Sequence, residues 1–494
     1  MANSGFDNDK YIELQSQKIL ERISSFGGKL YLEFGGKLFD DFHVARVLPG
    51  FCPDSKIKML MSMKENAEMI IVVSATSIEQ NKMRGDLGIT YDMDTLRLID
   101  AFTGIGMYVG GVVITQYSNQ PAADAFIKRL ENLGVKVYKH YPIDGYPTNV
   151  RKIVSDDGYG KNEYIETTKP LVVVTAPGPG SGKMATCMSQ LYHDHKRGIK
   201  AGYAKFETFP IWNLPLTHPV NMAYEAATVD LSDVNMIDPF HLEATGTTAV
   251  NYNRDIEIFP VLQAIFRQIY GECTYKSPTD MGVNMAGYCI FDDKAVCDAS
   301  KMEIVRRYYD TLCRKRNGIA DSEEVYKSEL IMSKVGVDVS FRRVVKAALD
   351  KAELTGEPAA AIELGDGTIV TGKTSKLMGA SAAALLNALK SLGGIDESIL
   401  LLPAVLMEPL QKLKVENLGN NNPRLHSDEV LIALAISATT NPVAAMAMEQ
   451  LPKLRGCQAH ISVMLSNVDK TIYKKLGIDL TSEPIYATKK LYHK

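Results

Sequence analysis

Apolar positions along this chain follow two periods, and the changes between them outline its elements. From Asp9 to Phe26 the residues Tyr11, Leu14, Ile19, Leu20 and Ile23 keep helical spacing. Tyr31-Leu32-Glu33-Phe34 then reads as a strand between two Gly-Gly-Lys-Leu repeats, 27–30 and 35–38. Beyond Ala67 the pattern is regular. Strands are expected over 69–74, 111–116 and 135–140, helices over 91–102 and 121–133, the second ended by Gly134. A strand over 171–175 and a helix to about Lys196 follow. Short apolar strands alternating with helices predict a mainly parallel sheet flanked by helices. Residues 205–252 lose this pattern. A helix is expected over 256–270, a strand over 285–291 ending in Asp292-Asp293, and a helix over 299–314.

A charged stretch, Arg314-Lys315-Arg316-Asn317-Gly318, marks a boundary. After it come a helix over 341–353, strands over 359–364 and 368–371 about an Asp366-Gly367 turn, helices over 375–392, 427–437 and 442–450, and a strand over 459–466. The fold class is multi-domain α/β with a P-loop-like strand–loop–helix. An N-terminal α/β region spans residues 1–325, with an irregular 205–252 insertion, and a C-terminal α/β domain spans 326–494.

Composition narrows the function classes. The chain is 46% hydrophobic and 23% charged, with a formal net charge of −3 and no long basic run, which disfavours nucleic acid as a main partner. No apolar stretch has the roughly 18–20 residues needed to cross a bilayer, so no membrane partner is expected. Seven scattered cysteines without a C-x-x-C pair, and an N-terminus without the features of a signal peptide, suit reduced thiols and a cytoplasmic location.

The chemistry centres on Leu171–Gln190. The apolar run 171–174 stops at Thr175, a loop of three glycines and two prolines follows, and Lys183 opens a helix. This layout suits a phosphate: backbone N–H groups and the positive helix end face the anion, and the lysine adds charge. Gly178, Gly180, Ser181, Gly182 and Lys183 are the expected binding residues for ATP or another phosphorylated ligand. Pro177 stands where G-x-x-x-x-G-K-[ST] has its first glycine, and Met184 where it has its hydroxyl. Gly367–Thr374 matches that pattern letter for letter, but Thr368-Ile369-Val370-Thr371 prefers a strand, which would consume the N–H groups a phosphate needs.

Other candidates are less specific. The apolar run before Asp292 resembles a Walker B strand, making Asp292 the expected ligand for Mg²⁺. Asp238 and His241, in Asp238-Pro239-Phe240-His241, pair an acid with a base suited to general acid–base catalysis. His193-Asp194-His195 reads either as metal ligands or as a solvated helix end. Cys187 reads as a nucleophile or a small buried hydrophobe, and Arg424 with His426 as contacts for a ligand or another subunit, or as a capped loop. There is no H-E-x-x-H zinc motif.

Five segments together carry a family resemblance: GGKLYLEFGGKLFDDFHVARVLPGF from Gly27, VVVTAPGPGSGKMATC from Val172, FPIWNLPLTHPVNMAYEAAT from Phe209, NMIDPFHLE from Asn235 and NPRLHSDEVLIALAISATTNP from Asn422. The sequence resembles, over nearly its whole length, the bacterial uncharacterised protein family catalogued as domain of unknown function 1846 (uncharacterised protein family 0371). The resemblance implies a bacterial protein of several α/β subdomains, and assigns no activity, substrate or catalytic set. The zinc-protease label some members carry requires the motif that this sequence lacks. Two readings follow from the residues. One is a kinase- or ligase-like enzyme using a phosphorylated ligand on a small metabolite. The other is a phosphate-ligand sensor or assembly protein without turnover. A phosphorylated small molecule and a second copy of the chain are the expected partners.

Overall fold

The computed structural model describes residues 4–85, 87–231 and 233–488. Two compact units are present. One comprises Gly5–Tyr224 and Asp233–Val296, the other the described parts of 225–232 and 297–494.

The first unit is built on a seven-stranded sheet: β1 (Leu30–Phe34), β2 (Ala67–Ser74), β3 (Tyr108–Thr115), β4 (Val137–Lys139), β5 (Leu171–Thr175), β6 (Gly202–Phe206) and β7 (Gly282–Val283). Their spatial order is β7-β6-β1-β5-β2-β3-β4, and each ladder is parallel. The strands are nearly continuous apolar runs because both faces are covered. All residues of β1, β2 and β5 are buried. One face carries Tyr31, Val72, Val113, Val172, Val174 and Tyr203 against helix α4 (Lys183–Lys196) and helix α5 (Asn253–Tyr270), through Cys187, Leu191, Phe259 and Phe266. Helices α1 (Asn8–Ser25), α2 (Tyr91–Gly104) and α3 (Pro121–Asn132) complete the framework.

Strand order places the ligand crevice. From β5 the chain runs to β6 on one side, whereas its neighbour β2 runs to β3 on the other. Adjacent strands whose connections diverge leave a crevice at their carboxyl ends, where sheets of this type bind ligands. The loop after β5 stands at that crevice.

Three expectations change. Residues 285–291 do not form a strand: Ala286–Cys289 is a short 3₁₀ turn, and Ile290 makes a lone antiparallel bridge with Phe6. The Asn284 amide, donating to the carbonyls of Thr208 and Pro210 at 3.0 Å each, ties this stretch down as a loop. The irregular 205–252 stretch begins inside β6 and holds helix Pro239–Thr245 and an antiparallel pair, Asn235–Ile237 with Val250–Tyr252. The helix expected from Ser375 starts at Ala380.

The second unit has a four-stranded sheet of β8 (Ala359–Glu363), β9 (Ile369–Lys373), β10 (Gln458–Ile461) and β11 (Asp479–Ser482), in the order β9-β8-β10-β11. The letter-perfect phosphate-loop match lies on β9, an edge strand paired antiparallel with β8, so the segment is extended and alternate N–H groups are taken by the ladder, where a phosphate loop would gather them around an anion. Three further helices, α6 (Ala380–Leu392), α7 (Ser427–Ala438) and α8 (Asn467–Lys475), converge by their N-termini on the buried Asp469 carboxylate. It accepts hydrogen bonds from Ser427 N (2.9 Å), Ser427 Oγ (2.6 Å), Ser381 Oγ (3.1 Å) and Ser466 Oγ (2.8 Å), and pairs with His426 Nδ1 at 2.8 Å.

Burial pushes the Asp469 carboxyl upward, but His426 and Ser427 hold it well below the usual carboxylate range. The hydrogen bond to Asp469 raises His426 above its ordinary value. A depressed acid contributes stability above its unfolded pKa of about 3.9; a raised histidine contributes it below about 6.5 and loses it as pH rises through the folded value. The pair therefore stabilises most between about pH 4 and 6.5. We expect His426→Ala to destabilise this unit more at about pH 5.5 than at pH 9 in urea denaturation. Asp469→Asn is expected to cost about 3 kcal/mol, because it breaks a buried pair.

Candidate functional site

The loop between β5 and α4 is shaped by its glycines. Gly180 and Gly182 have φ of 76° and 92°, in the left-handed region, and Gly182 is the N-cap of α4. A Cβ on Gly178 would stand 2.1 Å from the Tyr91 hydroxyl oxygen. At the end of β3, the Thr115 hydroxyl donates to the Ser181 carbonyl (2.6 Å), and the Ser181 hydroxyl donates to the Gly178 carbonyl (2.9 Å). These contacts hold the loop open from within. The backbone N–H groups of Gly178, Gly180, Ser181, Gly182, Lys183, Met184 and Ala185 find no acceptor among the described residues; Thr186 is the first to bond, to the Gly182 carbonyl at 3.0 Å.

Lys183, at the first position of α4, is half-buried, and no carboxylate among the described residues lies within ion-pairing distance of it. Burial lowers its ammonium below the ordinary lysine value. The nearby Glu33 opposes that shift, while Lys205 and Arg254 add to it. Two positive groups thus stand near an unpaired third at the mouth of a loop rich in free N–H donors.

Sheet register brings the opposing charges to the same place. Glu33 on β1 is the register partner of Lys205 on β6, so both side chains project from the face that α4 covers. The Tyr203 hydroxyl donates to Glu33 Oε2 at 2.6 Å. The Lys205 ammonium reaches Glu207 Oε1 at 2.9 Å, and also Asp255 and the Tyr252 hydroxyl. Tyr252 donates to Glu207 Oε1 at 3.1 Å. Burial alone would lower Lys205, but Asp255 and Glu207 hold it well above the usual range. Burial, opposed by Lys205 and aided by Asp255, leaves the Glu207 carboxyl raised to about 7. Arg254 is anchored to the buried Asp233, its Nη2 donating to Oδ2 at 2.7 Å.

The sequence-expected residues fall into two groups. Gly178, Gly180, Ser181, Gly182 and Lys183 all lie in this loop. Ser181 is buried with its hydroxyl donated inward, and Met184 packs against the core, so neither offers a hydroxyl in the position a magnesium ligand needs. Asp238, His241 and Asp292 stand in other roles. Asp238 is buried as the N-cap of Pro239–Thr245. Its Oδ1 accepts from the N–H groups of Phe240 and His241 (3.0 Å each), and its Oδ2 accepts from Thr279 N (3.1 Å) and Oγ1 (2.6 Å). Both of its oxygens are thus engaged in holding Pro239–Thr245 and Thr279 in place. His241 lies beside Ser277 and Thr247, 3.4 Å from each hydroxyl, with its ring 6.1 Å from that of Trp212. Asp292 follows a turn instead of a sheet strand, and its Oδ1 accepts from Ala295 N at 3.1 Å as a helix cap.

Cys187 is fully buried, and burial pushes its thiol well above the usual range, which removes it as a nucleophile. Asp194 accepts from Lys29 Nζ (2.8 Å), Tyr31 OH (2.8 Å) and Tyr164 OH (2.9 Å), and His193 bonds the Asn162 carbonyl at 2.9 Å, so this group is structural. Sequence reading gives no individual role to Lys205, Glu207, Tyr252, Arg254 or Asp255, although the polar stretch that begins at Lys205 is expected to bind substrate. A usable signal was present: Lys205 and Glu207 alternate at the end of an apolar run, as strand residues sharing one face do.

Two family models match the chain. "Domain of unknown function DUF1846, N-terminal" covers residues 4–336, and "Domain of unknown function DUF1846, C-terminal" covers 340–492. The chain is 57% identical over 494 residues, all of both chains, to a UPF0371 protein of Streptococcus pyogenes serotype M5. It has the same identity and coverage against a UPF0371 protein of Streptococcus thermophilus strain LMD-9. No helix among the described residues is long and apolar enough to cross a membrane.

The Gly178 contact yields a prediction. Gly178→Ala would force its methyl into the Tyr91 ring, and overpacking of this kind costs about 1–3 kcal/mol. Thermal denaturation should show the loss, and the added substitution Tyr91→Ala should make the Gly178→Ala step less costly than it is in the parent.

Proposed function

The chain belongs to the family described as domain of unknown function DUF1846, and from the site we propose that it is an enzyme binding a phosphorylated small molecule in the crevice at the carboxyl end of β5. The observation that carries this reading is Lys183: a half-buried ammonium without a carboxylate partner among the described residues, opening a helix whose first N–H groups are free. A cation drawn partly out of water without a partner is held at a cost, and an oxyanion would relieve that cost. A helix end contributes only about 0.3–1 kcal/mol to a nearby anion, so affinity comes from the donors, Lys183 and Arg254 acting together.

The loop favours a phosphate held by N–H groups and cations over magnesium-bound ATP. Met184 replaces the metal-binding hydroxyl, and that of Ser181 is committed to Gly178. The same two features also favour the second reading, a sensor without turnover. The mixed acid and lysine cluster beside the loop favours an enzyme.

Thermal shift against inorganic pyrophosphate, nucleotides and sugar phosphates, each with and without Mg²⁺, tests the proposal. A ligand at 100 times its Kd stabilises the native state by about 2.7 kcal/mol. We expect at least one phosphorylated ligand to shift the wild type, and Lys183→Ala to weaken it by roughly 10- to 100-fold, the worth of a charged hydrogen bond. Equal shifts in wild type and Lys183→Ala would sink the proposal. A ligand that binds but is never converted would move the reading to the sensor.

A further inference from the structure

Beside the loop, one ammonium holds two carboxyl groups. Lys205 contacts both Glu207 and Asp255, and Tyr252 donates to Glu207 as well. A single carboxylate would neutralise the lysine. The second brings a further buried negative charge to the same ammonium, and Asp255 acts with burial to favour the protonated Glu207 carboxyl. Such a pair takes up and releases its proton as a unit. A buried ion pair is in addition a weak source of stability, so folding alone does not account for a lysine with two acids.

Position sets this group apart from a core salt bridge. Lys205 and Glu207 leave the carboxyl end of β6, next to β1, and Asp255 lies in the first turn of α5. The side chains of Lys205, Glu207 and Asp255 keep 15%, 10% and 16% of their surface accessible, so a small molecule in the crevice has access to them. The groups facing Glu207 are Lys205 on β6, Tyr252 and Asp255 at the start of α5, and Tyr224 from helix Pro219–Ala227. Glu33 on β1 acts on Lys205, as Asp233 does on Tyr224. Lys183 and Arg254 complete the charged surroundings.

We propose that Glu207 and Asp255, bridged by Lys205, form the proton-transfer pair of this site, serving a hydroxyl or bound water of the phosphorylated ligand anchored at the Lys183 loop. The identity of the ligand rests on the function proposed above; the shared proton does not. In the step, the O–H bond of the hydroxyl or water breaks and its electron pair stays on that oxygen. The proton forms a new O–H bond on the ionised member of the pair, and the reverse transfer returns it. The ligand class is therefore a phosphate ester or diphosphate with a hydroxyl, or a water-accessible centre, beyond its phosphate.

Two measurements on the full chain test this. Carbon-13 labelling of glutamate carboxyls, followed by NMR against pH, should show one resonance with a midpoint of about 7. That resonance should vanish in Glu207→Gln, and its midpoint should fall by about one pH unit or more in Asp255→Asn, which also serves if Glu207→Gln does not fold. No glutamate titrating above about pH 6 in the folded wild type, or an unmoved midpoint in Asp255→Asn, overturns the pair. Calorimetry with inorganic pyrophosphate, in two buffers of different ionisation enthalpy at about pH 7, then reads proton exchange on binding. Pyrophosphate's own titration is common to both proteins, so we expect exchange in the wild type and a smaller exchange in Glu207→Gln with affinity within about threefold, a split that a merely structural role would not produce. Binding without exchange in the wild type overturns the link between pair and ligand. Absence of pyrophosphate binding, with the carboxyl still titrating near neutrality, overturns the phosphate reading and leaves the shared proton standing.

Discussion

The register of β1 between β5 and β6 is the constraint on which the candidate site depends. Glu33 faces Val174 on one side and Lys205 on the other, and a slip of one residue would turn it to the opposite face of the sheet. Lys205 would then lose Glu33 as a neighbour, and Tyr203 would lose its carboxylate acceptor. The register is held by apolar side chains on both faces, since every residue of β1 and β5 is buried. Burial of ordinary hydrophobes thus aligns the charged ends of the strands, although no charge pair specifies the alignment.

Buried carboxylates anchor both units. Asp194, in the last turn of α4, ties that helix to Lys29 before β1, to Tyr31 within it and to Tyr164 ahead of β5. Holding the far end of α4 against the sheet sets the direction of its near end, where Gly182 and Lys183 lie. In the second unit Asp469 occupies the convergence of three helix starts, a place where a negative charge is favoured by every dipole. There the protein supplies its own anion; at α4 the corresponding N–H groups find none among the described residues.

How much was legible in the sequence varied with the distance over which residues act. The bounds of β5 and α4 were readable because the signals are local: a β-branched run, a loop glycine and the lysine after it. The same reasoning separated this loop from the letter-perfect match at Gly367, whose β-branched residues joined a ladder. Asp238 carried two signals at once: an acid near a histidine suggests chemistry, and Asp followed by Pro before a helical turn is a capping signature, which the structure shows it fulfilling. The strand expected before Asp292 failed because Tyr288-Cys289-Ile290-Phe291 is apolar enough for a strand, whereas contacts from Asn284 to residues far back in the chain hold that region as a loop. The Lys205, Glu207 and Asp255 group was only partly legible. Lys205 and Glu207 share one strand end, but Asp255 lies on α5, and what brings it to them is a property of the fold as a whole.

The central position of β1 also bears on how the chain acquires its native state. Leu30 must wait for Leu171 and Gly202, about 140 and 170 residues downstream, before its ladders can form. During synthesis the first strand therefore emerges with an unsatisfied apolar sequence on both faces, and pairing nearer in the chain cannot shelter it. Assembly of this sheet is a late, long-range event, exposed to chaperone binding in the interval. The crevice between β5 and β2 likewise needs Leu171 to pair with Ala67, about 100 residues away in the chain, so a ligand there would stabilise a long-range contact of the sheet as well as occupy the finished protein.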